Sequence, residues 1–142
     1  MTCVFKWKTG WNVSHNRIFN QHMSEYLNDA LHCACRDGQK ETALELIDLG
    51  ADIDAKNKYG GTPLHYACDG YVDIVQILIV RGADISAKKN DGDTPLHLAC
   101  YNGHRDTVLA LIDIFADIDA KNNDGRTPLH YACRYGQFIF II

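Results

Sequence analysis

The chain has 142 residues, 46% of them hydrophobic and 23% charged, with a formal net charge of -4. These are ordinary globular proportions, enough for one domain with its own core, and they exclude wholesale disorder and a fibrous chain. The only basic excess lies in residues 1–24, where Lys6, Lys8 and Arg17 stand without an acid; the acidic remainder argues against a nucleic-acid binder, whose affinity rests on neutralising phosphates.

The opening stretch, MTCVFKWKTGWNVSHNRIFNQHM, mixes aromatic and polar residues without the apolar run of a signal peptide. No stretch anywhere has the roughly 18 apolar residues of a membrane span. Phe5, Trp7, Trp11 and Phe19 make residues 1–23 too aromatic for an ordinary linker, so they either cover the flank of the chain beyond residue 23 or form an extension.

From residue 24 a repeat dominates. LHCACRDG is followed by TPLHYAC at 62–68, TPLHLAC at 94–100 and TPLHYAC at 127–133, and the histidines His32, His65, His97 and His130 are spaced 33, 32 and 33 apart. A fixed period of this size marks a stacked solenoid. Within each copy, Thr-Pro predicts a helix start, because Thr caps well and Pro is tolerated at the first helical position. Leu64, Ala67 and Cys68, like Leu96, Ala99 and Cys100, then share one face of a short helix with a narrow small-residue stripe. A second helix comes next in ETALELIDLG, VDIVQILIVRG and RDTVLALIDIF, mostly ending in Gly, and ADIDAKNKYGG, ADISAKKNDGD and ADIDAKNNDGR turn on Asn, Asp and Gly. The predicted fold class is an all-α repeat solenoid.

Each copy also holds His and Cys three residues apart, a pairing that shares one helix face and suits zinc. One repeat supplies only two ligands, however, and its neighbour arrives a helix-packing distance away, roughly 8–10 Å, too far to complete a tetrahedral site. The spacing equally opposes disulfides between layers, and the six cysteines are expected to be reduced thiols in a reducing, intracellular setting, cytoplasmic above all. Cys35, Cys68, Cys100 and Cys133 are expected in the core as small hydrophobes. A catalytic reading fails because candidate groups recur once per repeat instead of converging on one site. No cofactor, metal or catalytic residue is therefore expected.

The pattern T-P-L-H-x-A, a later G-A-D and a 33-residue period resemble the ankyrin-repeat family over residues 24–142. The resemblance implies a degenerate opening repeat at 24–56, full repeats at 57–88 and 89–121, and an incomplete fourth at 122–142. Each repeat is implied to be two antiparallel helices plus a hairpin-like finger. Its histidine is implied to bond the Thr of its own motif and nearby loop backbone: His65 with Thr62, His97 with Thr94, His130 with Thr127. At His32 the Thr position is Asp29, whose carboxylate is the expected acceptor.

The family binds other proteins on fingers and concave face. Carried over by position, the implied partner-facing set is Lys56, Lys58, Tyr59 and Asp69 from the first finger and its helix. The second gives Lys88, Asn90, Asp91, Asp93, Tyr101 and Asn102, and the third Lys121, Asn123, Asp124, Arg126, Arg134 and Tyr135; Gly61, Arg36 and Asp37 flank them. Tyr59, Tyr101, Arg134 and Tyr135 are the expected anchors, since Tyr and Arg are enriched among binding hot spots. The function implied is a non-catalytic module binding another protein, with neither nucleic acid nor membrane as partner. The rival is a fragment of a longer array without independent function, and a metal or thiol enzyme is the remote third.

Three departures stand out. CDGYVDIV is one residue shorter than its equivalent, predicting a tighter turn at Gly70. Phe115 occupies the place of Gly50 and Gly82, predicting positive φ and strain of about 1 kcal/mol. The chain ends in FIFII, which is read as a truncated or irregular end, an end packed back on the stack, or an apolar surface for self-association.

Overall fold

The computed structural model describes residues 16–136, so the expectations placed on Phe5, Trp7, Trp11 and FIFII lie outside the described residues. Seven helices are present among them: α1 (Asn16–Asp37), α2 (Lys40–Asp48), α3 (Pro63–Ala67), α4 (Val72–Val80), α5 (Pro95–Asn102), α6 (Arg105–Asp113) and α7 (Pro128–Arg134). The boundary expected between residues 23 and 24 falls inside α1, which runs through it unbroken.

The helices form two rows. α1, α3, α5 and α7 stack as an inner row, each against the next and, for the first three, against its own outer helix; α2, α4 and α6 stack as the outer row. Close stacking follows from small side chains. Ala34, Ala67, Ala99 and Ala132 lie buried at the same register of the inner helices, beside fully buried Leu31 and Leu64. Outer-row Ile74, Val75, Leu78, Val108 and Leu111 close the core from behind. Each such aliphatic side chain contributes roughly 1.5–3 kcal/mol by leaving water.

The helix starts are built as the T-P punctuation predicts. Thr62, Thr94 and Thr127 hold extended backbone with φ between -90 and -94°, and each forms a capping box with the histidine three residues on. Gly60 and Gly92 take positive φ where fingers meet: a Cβ would lie 2.8 Å from the Asn90 backbone nitrogen and 2.7 Å from that of Asn123.

The turn at Gly70 is tighter, as the missing residue requires. Tyr71 N–H bonds the carbonyl of Ala67, four residues back, where Gln39 and His104 reach back five. Phe115 has φ 66°, the only non-glycine with positive φ among the described residues, and its side chain is 93% exposed. Cys133 departs from the expected core set: it is exposed, whereas Cys35, Cys68 and Cys100 are buried. Those three are covered by the repeat stacked beyond them, and among the described residues nothing stacks beyond α7.

Candidate partner-binding surface

The inner helices and the loops projecting from them form one continuous face, and the histidines hold it in register. Thr62 N–H donates to His65 Nδ1 at 3.1 Å, and the Thr62 hydroxyl lies 2.9 Å from the same nitrogen. A backbone N–H can donate only to a bare ring nitrogen, so the proton resides on Nε2. That nitrogen donates to the Asp93 carbonyl of the next loop at 3.1 Å. Burial is the main reason that the His65 pKa is pushed down to about 4, which keeps the imidazole neutral and the tautomer fixed. His97 repeats the arrangement with Thr94 and the Arg126 carbonyl, at 2.9 Å to the latter. His130 bonds Thr127 in the same way but is exposed. His32 Nδ1 and Nε2 lie 2.8 and 3.1 Å from the Asn28 and Gly61 carbonyls, and a ring with one N–H donates to one of the two, so its neighbours are backbone carbonyls and not the expected Asp29 carboxylate.

Burial raises the Cys35 and Cys100 thiols to about 12 and about 11 and pushes Cys68 higher, leaving them protonated and unreactive. Among the described residues, no group of three or more His, Cys, Asp or Glu side chains is placed to hold a metal.

A family model of ankyrin repeats (three copies) matches residues 11–89 and 79–141. The chain belongs to the ankyrin-repeat family. Human protein phosphatase 1 regulatory subunit 27 is 49% identical over 50 residues, 34% of this chain and 32% of that protein. A Caenorhabditis elegans homolog of transient receptor potential cation channel subfamily A member 1 is 52% identical over 42 residues, 30% of this chain and 4% of that one. Acyl-CoA-binding domain-containing protein 2 of Arabidopsis thaliana is 39% identical over 51 residues, 35% of this chain and 14% of that protein. The aligned segments thus span a third or less of each of these relatives.

The ankyrin fingers are laced edge to edge. Asn90 N–H donates to the Tyr59 carbonyl and Asn123 N–H to the Asp91 carbonyl, at 3.0 and 2.9 Å. The side-chain amides of Asn90 and Asn123 donate to the Lys58 and Asn90 carbonyls at 3.0 and 2.8 Å. Lys56 and Lys88 reach the Lys88 and Lys121 carbonyls at 3.4 and 3.3 Å. Four residues expected to meet a partner (Lys56, Lys88, Asn90, Asn123) therefore also tie neighbouring repeats, while remaining exposed.

Asp93 is a clear correction. It is 6% exposed, and its carboxylate accepts from the Asn122 amide at 2.8 Å and from the Tyr131 hydroxyl at 3.3 Å. Partial burial, then the Asp93 charge, raises the Tyr131 pKa. Its side chain is buried in a lock between two repeats, where a partner-facing, exposed position was expected. Asn102 and Arg126 are half-buried, with Arg126 committing backbone to Asn122 and His97.

The remaining positions stay on the surface. Lys58, Tyr59, Asp69, Asp91, Tyr101, Lys121, Asp124, Arg134 and Tyr135 are exposed. Lys58 Nζ sits 4.9 Å from the Tyr59 ring centroid. Tyr101 and Tyr135 meet at 4.5 Å between centroids, and both touch half-buried Tyr131 at 5.9 and 6.5 Å. A groove of about 550 Å³ brings together Arg36, Tyr59, Asp69, Asn90, Asp91 and Asn102 from the expected set. Its floor includes Tyr66 and Leu98, which sequence reasoning missed. Their signal was present: with Tyr131 they are the unspecified x of T-P-L-H-x-A, the one position within that motif that varies between its copies.

Proposed function

We propose that this chain is a non-catalytic interaction module that holds a partner protein across its ankyrin fingers and concave face. The observation that carries the reading is the tyrosine surface: Tyr59, Tyr101 and Tyr135 remain 57%, 45% and 45% exposed on one face although the core is closed without them. Exposed aromatic area of this kind suits the centre of an interface. The repeats at 24–56, 57–88, 89–121 and 122–142 are the proposed units. Among the described residues no helix is long and apolar enough to cross a membrane. An intracellular, reducing setting belongs to the same reading, supported by five free thiols among the described residues.

The test is affinity capture with the intact chain against a Tyr59→Ala, Tyr101→Ala, Tyr135→Ala triple variant of unchanged helicity. The triple variant is expected to lose the specifically captured proteins. Identical capture by both proteins rejects the concave face as the binding surface.

A further inference from the structure

We infer that the groove over Leu98 receives a linear polypeptide segment that inserts one bulky apolar side chain, flanked by an acidic residue facing Arg36 and a basic residue facing Asp69. This inference rests on the concave-face reading and specifies its partner.

The repeats differ at one place on this face. Position x of the T-P-L-H-x-A motif is Tyr66 on α3, Leu98 on α5 and Tyr131 on α7. The Tyr66 hydroxyl accepts from the Asn57 amide, and the Tyr131 hydroxyl is held by Asn122 and Asp93. In the middle repeat both halves of that pair are changed: Lys89 replaces the finger Asn and Leu98 replaces the Tyr. The ring and hydroxyl that fill the outer two repeats are absent at that place, and half-buried Leu98 forms part of the groove floor there.

Several of the polar groups around this floor are already engaged. His65 Nε2 donates to the Asp93 carbonyl, the Asn90 amide donates to the Lys58 carbonyl, and Lys89 pairs with Asp91 at 3.2 Å. At the floor itself the groove offers a ligand chiefly the apolar surface of Leu98, Tyr59 and Tyr66. A volume of about 550 Å³ accommodates more than one side chain, which suits a short segment rather than a single protruding residue.

Two charges then set direction. Arg36 closes the last turn of α1 and engages Asp37 through Nε alone, so its terminal guanidinium nitrogens keep the fork that matches a carboxylate. Asp69, one repeat further, is exposed and 3.6 Å from the His104 ring. A segment crossing from α1 to α3 meets a cation and then an anion, so its complement carries an acid and then a base around the apolar anchor.

The test is selection of a phage-displayed random dodecapeptide library on the intact chain, followed by anisotropy titration of synthetic consensus peptides. Enrichment of a Leu, Met or Phe anchor between an acid and a base is expected. Leu98→Tyr places the neighbouring repeats' residue in the notch, and should weaken these peptides at least about tenfold while leaving the unfolding transition in place. Selection on an Arg36→Glu, Asp69→Arg chain should enrich the reverse charge order. No enrichment, or undiminished binding to Leu98→Tyr, overturns the inference; an unchanged charge order overturns its direction. The triple tyrosine variant separates the two readings. Peptides that need the tyrosines but ignore Leu98→Tyr reject only the notch, and peptides that ignore both reject the concave face as well.

Discussion

Acidification should weaken this fold through His65, and the size of the effect follows from the site. In the folded chain the ring is 2% exposed, its Nδ1 receives the Thr62 N–H, and its Nε2–H is spent on the Asp93 carbonyl. Protonation would require Nδ1 to become a donor against another donor, inside the core. Burial, the largest cause, lowers the pKa from 6.5 to about 4. Because the folded value lies below the unfolded one, the unfolded chain binds the extra proton: the stabilisation is complete above pH 6.5 and is lost as pH falls toward 4. Integrating that difference gives a loss of about 2 kcal/mol between pH 7 and pH 5, rising to about 3 kcal/mol at pH 4. Carboxylates titrate over part of the same range, so the decisive quantity is a comparison. Urea unfolding of the wild type and of His65→Gln, each at pH 7 and pH 5, isolates the histidine. The variant should be less stable at pH 7 yet lose about 2 kcal/mol less than the wild type on acidification. Parallel losses in the two proteins would refute the assigned tautomer and its burial.

Two further substitutions test the irregular places. Phe115→Gly should raise the thermal midpoint and stabilise by about 0.5–1 kcal/mol, because strain at φ 66° is relieved and a side chain 93% exposed has little packing to lose; a lower midpoint would mean that the ring packs. Asp93→Ala should cost about 1–3 kcal/mol in urea unfolding, since the Asn122 amide and Tyr131 hydroxyl lose a buried acceptor; an unchanged midpoint would return Asp93 to the partner-facing surface.

What could be read in advance was whatever a repeat does within itself. Thr-Pro-Leu-His specifies its own cap, first turn and ring hydrogen bond over four residues, so Thr62 with His65 was legible without knowing any neighbour. Phe115 was legible for a similar reason, because Gly50 and Gly82 display at the same register the φ that it must share. Burial of the motif cysteine was not local in this way. Cys68 and Cys100 are covered by the next repeat in the stack, and Cys133, in an identical motif copy, is exposed.

The same distinction accounts for the contacts at the candidate site that were not foreseen. Asp93 sits at the register of Gly61 and Arg126, which gave no hint that its carboxylate would reach Asn122 and Tyr131, 29 and 38 residues away. Asn90 and Asn123 looked like free finger tips because their acceptors lie on the preceding finger. Lateral contacts of this kind draw their partners from another repeat, so a single copy of the motif cannot announce them. The positions that do vary between copies therefore divide into two kinds: those that vary because they lock a particular pair of repeats, as Asp93 does, and those with exposed area that packing leaves unused, as at Tyr59, Tyr101 and Tyr135. Leu98 belongs with neither alone. It is the place where the phenol–amide bond of the outer repeats is given up, and an apolar floor is what remains in its stead.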